Sequence, residues 1–258
     1  MAWTHGDPSL FYECEGQGRS ILLVHEMGGS SWSWGIVAEQ LRRRHRVATF
    51  DIRGAGLSEK APPAFSFEDL AHDVISICKA ADLDRPVVVG VAAGAVMALS
   101  AAALSPDQIG GLVLCSPSLS LDASAREQTL ARAKAVAEQG MRSIADGALS
   151  RTYPESLRGE DYAEYRARFL AQDPASFAQL NRAFAAAEFS LEAVAHPTLV
   201  LAGDQDVRPA EAVAQAAARI PGAVFEIVEG AGHVMARHQP LKLASRIAAF
   251  AASLSAPS

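Results

Sequence analysis

The stretch Val87-Val88-Val89-Gly90-Val91-Ala92-Ala93-Gly94-Ala95-Val96-Met97-Ala98-Leu99 constrains the fold more than any other part of this chain. It begins as a run of β-branched residues, which suit a buried pleated strand. It then passes two glycines and turns alanine-rich, and alanine is the strongest helix former. A strand, a tight turn and a helix are therefore expected in succession. The residue at the centre of the frame Gly90-x-x-x-Gly94 is Ala92, which has no side-chain oxygen.

The same alternation runs through most of the chain. Short apolar runs at 21–24, 47–50, 112–115 and 197–203 read as strands buried on both faces, with further strands expected over 9–14 and 224–228. Helices are expected over 32–43, 66–81, 93–104, 210–219 and 241–254. Ser66, followed by Glu68 and Asp69, marks one helix start. Between about 120 and 190 the strand signal vanishes, and Gly140, Pro154, Gly159 and Pro174 break the segment into four or so helices. The pattern predicts an α/β fold: a mostly parallel, doubly covered sheet with right-handed crossovers and a helical cap insertion over the carboxyl ends of the strands. The core is expected over 1–118 and 192–258, and the cap over 119–191.

With 258 residues, half of them hydrophobic and a fifth charged, the chain is long enough for one well-buried core. A net charge of −6 argues against nucleic acid or an anionic membrane as the main partner. Cys14, Cys78 and Cys115 lack metal-ligand spacing and read as free thiols in a reducing cytoplasm. The N-terminal residues have no basic region followed by an apolar run, and no stretch is apolar enough for a membrane span. No metal cluster and no strand-linked G-x-G-x-x-G is present, so no cofactor is expected. The expected partner is a small-molecule substrate, and the expected state a monomer or homodimer.

Four strand-end loops carry the candidate chemistry. The elbow at Ala92 retains a backbone donor, the Ala93 N–H. The loop His25-Glu26-Met27-Gly28-Gly29 offers a second donor at Met27 and an unexpected carboxyl at Glu26. Asp206, after the strand at 197–203, and His233, after the last strand, follow the elbow in the order nucleophile, acid, histidine. An aspartate on one imidazole nitrogen fixes the tautomer and stabilises the imidazolium. His25, Arg53 and Arg126 are the expected substrate contacts, with Arg208 a further arginine able to face a carboxylate. His5, His45, His72, His196 and His238 read as surface or helix residues.

Taken together, these residues resemble the α/β-hydrolase superfamily, most closely the 3-oxoadipate enol-lactonase-like hydrolases of esters, lactones and carbon–carbon bonds. Val24-His25 is similar to the strand entering the H-G oxyanion loop. Asp51-Ile52-Arg53-Gly54-Ala55-Gly56-Leu57-Ser58 resembles the D-x-R-G-x-G-x-S loop. Pro197 to Asp206 resembles the strand bearing the catalytic acid, and Gly232-His233 the catalytic histidine. The resemblance implies Asp206 as the acid, with Met27 and Ala93 as the oxyanion hole. It fails at two positions: the nucleophile is replaced by Ala92, and the glycine of H-G by Glu26.

A serine-hydrolase mechanism cannot run on this sequence, because losing the triad serine costs about a millionfold in turnover. Three readings fit. The first is natural divergence to general acid–base chemistry by His233, Asp206 and Glu26, either hydrolysis of a lactone or carbon–carbon bond or a cofactor-free lyase, decarboxylase or isomerase step. The second is an engineered Ser→Ala form of a serine-type enol-lactonase or esterase. The third is a non-catalytic small-molecule-binding protein.

Overall fold

The computed structural model describes residues 1–60, 64–119, 121–188 and 190–254. In chain order the elements are β1 (Ala2–Trp3), β2 (Phe11–Glu15), β3 (Ser20–Val24), α1 (Gly35–Arg42), β4 (Arg46–Phe50), α2 (Phe67–Ala80) and β5 (Val87–Val91). They continue with α3 (Ala93–Leu104), β6 (Gly111–Cys115), α4 (Ala123–Gln139), α5 (Arg142–Thr152), α6 (Tyr162–Leu170) and α7 (Pro174–Ala186). The remainder is β7 (Thr198–Gly203), α8 (Ala210–Ala217), β8 (Val224–Val228), α9 (Met235–His238) and α10 (Pro240–Ser253).

The strands form one sheet in the order β1-β2-β4-β3-β5-β6-β7-β8. β4 to β8 and β3 run parallel, and β1 and β2 pair antiparallel at one edge. The expected α/β class and doubly covered sheet are thus present. The sequence did not indicate β1, because two residues carry no periodicity. The helix expected over 32–43 is split into a 3-10 turn at Ser31–Trp34 followed by α1.

The apolar runs are continuous because alternate residues serve two cores. Leu22, Val24, Val88, Leu112 and Leu114 face one core with α2 and α3. Ile21, Leu23, Val87, Val89, Val91 and Val113 face the other with Trp34, Leu41 and Leu243. α2 starts at a capping box: Ser66 Oγ accepts from the Asp69 N–H, and the Asp69 carboxylate accepts from the Ser66 N–H.

Chain direction reverses across the sheet at β3. β4 lies on one side of it and β5 on the other. In open α/β sheets the crevice at such a switch point, beyond the carboxyl ends of the strands, is where ligands bind. The loops leaving β3 and β5 carry Glu26 and Ala92. Helices α4 to α7 fall between β6 and β7, and among the described residues that interval holds no strand. They share a small core that includes Val136, Tyr153, Tyr165, Phe169 and Phe177, and Val234, Met27 and Trp32 from the sheet loops join it. The helical segment therefore packs directly over the switch point. Among the described residues, no helix is long and apolar enough to cross a membrane.

Candidate active site

Ala92 links β5 to α3 at φ 53°, ψ −111°, a conformation that L-residues with a Cβ rarely adopt. The two glycines of the frame make it possible. A Cβ on Gly90 would collide with the backbone of Gly94 and Ala95, and one on Gly94 with the Val24 and His25 carbonyls. The tight turn is thus fixed by backbone-to-backbone contact. Ala93 begins α3, so its N–H is one of the orphan donors of a helix start. Neither it nor the Met27 N–H has a hydrogen-bond acceptor among the described residues. Both residues line a small cavity of about 110 Å³ with Ala92, Glu26 and His233.

His233 meets Asp206 as the chain order suggested. Its Nδ1 lies 3.2 Å from each Asp206 carboxylate oxygen. The Asp206 side chain is 1% exposed. Burial would raise its pKa, but the hydrogen bond and charge of His233, with the Arg208 N–H, outweigh burial and hold it below the ordinary carboxylate range. The loop carrying His233 is held by His238, whose Nδ1 accepts from the Gly232 N–H at 3.1 Å. The His238 ring packs edge-on against Tyr153 at 4.5 Å. Burial pushes the His238 pKa down to about 4, so it is neutral at neutral pH. His238, expected as a surface or helix residue, ends α9 and is a partly buried prop beneath the His233 loop.

Glu26 is 3% exposed and built into the cavity wall. Its Oε1 accepts from Ser33 Oγ at 2.9 Å and from the Tyr165 hydroxyl at 3.2 Å. Burial, followed by the Glu26 charge and hydrogen bond, drives the Tyr165 pKa well up, so its hydroxyl stays a donor. A Cβ at Gly29 would overlap the Glu26 carboxyl and Ser33 Oγ, so the glycine leaves room for the carboxyl. The other oxygen, Oε2, is buried without a hydrogen-bond partner among the described residues. The site therefore joins a carboxyl with one free oxygen, a histidine–aspartate pair and two free backbone donors.

The three expected substrate contacts are engaged elsewhere. The Ile52 N–H donates to His25 Nε2 at 3.0 Å, so that nitrogen is an acceptor. Nδ1 must then carry the proton, and it donates to the Glu26 carbonyl at 2.8 Å. Both ring nitrogens of His25 thus serve the loops. Arg53 forms a bidentate buried pair with Asp73. Arg126 donates to the Leu121 and Ala185 carbonyls and faces a separate surface depression. None of these three lines the cavity, which instead takes Arg132 from α4 and Arg208 from the loop after β7. Arg132, Tyr165 and Ser33 were not singled out in the sequence, because an arginine or tyrosine on an amphipathic helix has no local mark of its destination.

Ser118 and Thr152 also line the cavity, but among the described residues neither hydroxyl hydrogen-bonds His233. Among the described residues no three His, Cys, Asp or Glu side chains could hold a metal ion. Cys115 and Cys78 are buried, and burial pushes both thiols up, Cys78 to about 12. A larger groove of about 940 Å³ runs along α2 and α3 but contains neither Glu26, Ala92 nor His233.

Comparison with known proteins agrees with the fold. A carbamate-hydrolase relative, named RutD, from Caulobacter segnis is 29% identical over 87% of this chain and 89% of its own length. A thermophilic esterase from Thermogutta terrifontis, solved with malate bound, is 28% identical with a TM-score of 0.88, covering 96% of this chain and 95% of its own. The enol-lactonase of Burkholderia xenovorans LB400 is 23% identical with a TM-score of 0.87 over 98% of this chain and 100% of its own, a likeness of fold. The model of the Alpha/beta hydrolase family matches residues 21–246, and the chain belongs to that family.

Proposed function

We propose that this protein is a hydrolase of small carbonyl compounds that works without a covalent acyl-enzyme. The observation that carries the reading is the placement of Glu26. It stands in the cavity beside Ala92 and His233, supported by Ser33, Tyr165 and the space left by Gly29. A carboxyl accommodated by three other residues belongs to the architecture of this site. A Ser→Ala change at position 92 alone would not account for it.

The chemistry follows from the groups present. His233, oriented by Asp206, takes a proton from water as that water adds to the substrate carbonyl carbon. The Met27 and Ala93 N–H groups stabilise the resulting oxyanion. Collapse breaks the bond to the leaving group, and Glu26 protonates the departing atom and is reprotonated through the imidazolium. The small Ala92 side chain leaves the attacking water room beside the elbow. Substrates of this class include lactones, esters, carbamates and β-diketones. Hydrolase names among the relatives support the reaction class.

The test is turnover of a panel of these compounds with a methanol trap. For esters sharing one acyl group, an acyl-enzyme partitions between methanol and water in one ratio whatever the leaving group, whereas direct attack gives a ratio that changes with the leaving group. His233→Ala and Glu26→Gln should each lower kcat by about a hundredfold or more, and Ala92→Ser should bring no large gain. Full turnover by His233→Ala would refute the mechanism. A large esterase gain in Ala92→Ser, with one methanol-to-water ratio whatever the leaving group, would identify the chain as the Ser→Ala form of a serine hydrolase. Tight binding with no conversion by the unaltered protein would make it a binding protein.

A further inference from the structure

Two guanidiniums line the cavity, and among the described residues neither forms an ion pair. Arg132 reaches in from α4 and Arg208 from the loop after β7. Arg132 donates through Nε to Asn181 Oδ1 at 2.6 Å, and no acceptor among the described residues takes its Nη atoms. Arg208 makes one long side-chain bond, from Nη1 to the Ser116 carbonyl at 3.4 Å. Among the described residues neither lies within ion-pair distance of an Asp or Glu. The other buried arginine described above, Arg53, has its bidentate Asp73. Burial, then repulsion from Arg151 and Arg208, pulls the Arg132 pKa down to about 10, which is the mark of a cation lacking its counter-charge. Burial likewise lowers that of Arg208, with only partial relief from Asp206.

We propose that Arg132 and Arg208 form an anion subsite that binds a carboxylate group of the substrate and so aims its carbonyl at Ala92. The arrangement rests on the proposed function only for where the carbonyl goes; the subsite itself stands on the two unpaired guanidiniums. The planar, multi-donor guanidinium matches a carboxylate better than a lysine would. A single negative charge fits this cavity better than a phosphate dianion, because the ionised Asp206 carboxylate already acts on Arg208. The aromatic rings of Phe169, Phe177 and Phe184 line the same cavity and suit a short carbon chain between the two polar ends. The substrate class is therefore a small carbonyl compound with a carboxylate a few bonds away. One arginine comes from the helical segment and the other from the sheet loops, so the bound anion also ties the two together.

The test is calorimetric titration of the full chain with 4-oxopentanoate, its neutral amide and inorganic phosphate. The unaltered protein should bind 4-oxopentanoate saturably, and the amide at least tenfold more weakly. Arg132→Gln and Arg208→Gln should each weaken 4-oxopentanoate at least tenfold, with lysine replacements intermediate, while circular dichroism stays unchanged. Equal affinity for acid and amide in the unaltered protein would overturn the proposal even if neither variant folds. So would unchanged binding in both glutamine variants, or tighter binding of phosphate than of the carboxylate. Because no turnover is read, failure here leaves the hydrolytic mechanism standing, and failure of the mechanism leaves the subsite standing.

Discussion

Arg53 donates from Nε and Nη2 to the two Asp73 oxygens at 2.6 and 2.7 Å, and both side chains are nearly out of solvent. Breaking one half of such a pair leaves an uncompensated buried charge, at a cost of about 3–5 kcal/mol. Arg53→Met should therefore lower unfolding free energy by about that much in urea titration. Adding Asp73→Leu should recover most of the loss. Neither side chain lines the cavity, so kcat of the folded fraction should hold. The motif at 51–58 was legible, but the role of its arginine was not. Residue type at a loop position does not say whether the side chain turns to a ligand or to a carboxylate on α2. Glu26 shows the same limit. Its Ser33 partner is 7 residues away, and its Tyr165 partner 139 residues away on α6. No local pattern links them.

At the scale of elements, the turn between β5 and α3 was the most legible part of the chain, because its determinants are local. Gly90 and Gly94 are required by backbone contacts within the turn and against the end of β3. Gly94→Ala would drive a methyl into the Val24 and His25 carbonyls, which belong to a buried strand end and cannot shift cheaply. We expect a loss above about 4 kcal/mol, read as an insoluble product or a sharply lowered denaturant midpoint. A surface glycine such as Gly147, where an added Cβ meets nothing, is the control. The strands were legible because burial on both faces writes continuous apolar runs. The short β1 and α9 were not, because two or four residues hold too little periodicity to stand out. Arg132 illustrates a further gap: α4 also carries Arg126 and Lys134, and only the packing of α4 against α7 decides which cation turns inward.

The whole molecule senses pH through the prop under the His233 loop. His238 titrates near 4 when folded and near its ordinary 6.5 when unfolded. Below 6.5 the unfolded chain takes up a proton that the folded chain refuses. Stability is therefore present in full above about pH 6.5 and declines as pH falls toward 4, by up to about 3 kcal/mol. Denaturation series at several pH values should show this slope. His238→Asn keeps an acceptor for the Gly232 N–H without a titrating ring, and should flatten the slope in that window.

The junction between helical segment and sheet also has an optical consequence. Trp32, in the loop after β3, lies between the guanidiniums of Arg168 on α6 and Arg237 on α9, at 4.5 and 4.0 Å from its ring. Tyr165, which holds Glu26, lies 6.5 Å from the same ring. The other two tryptophans report little here: Trp3 is half exposed at the far sheet edge, and Trp34 is sealed in a core. Any shift of α6 against the sheet changes the field on one indole alone. The intrinsic emission of the protein is thus a built-in gauge of how the roof sits on the site, readable without a label while a ligand enters and leaves.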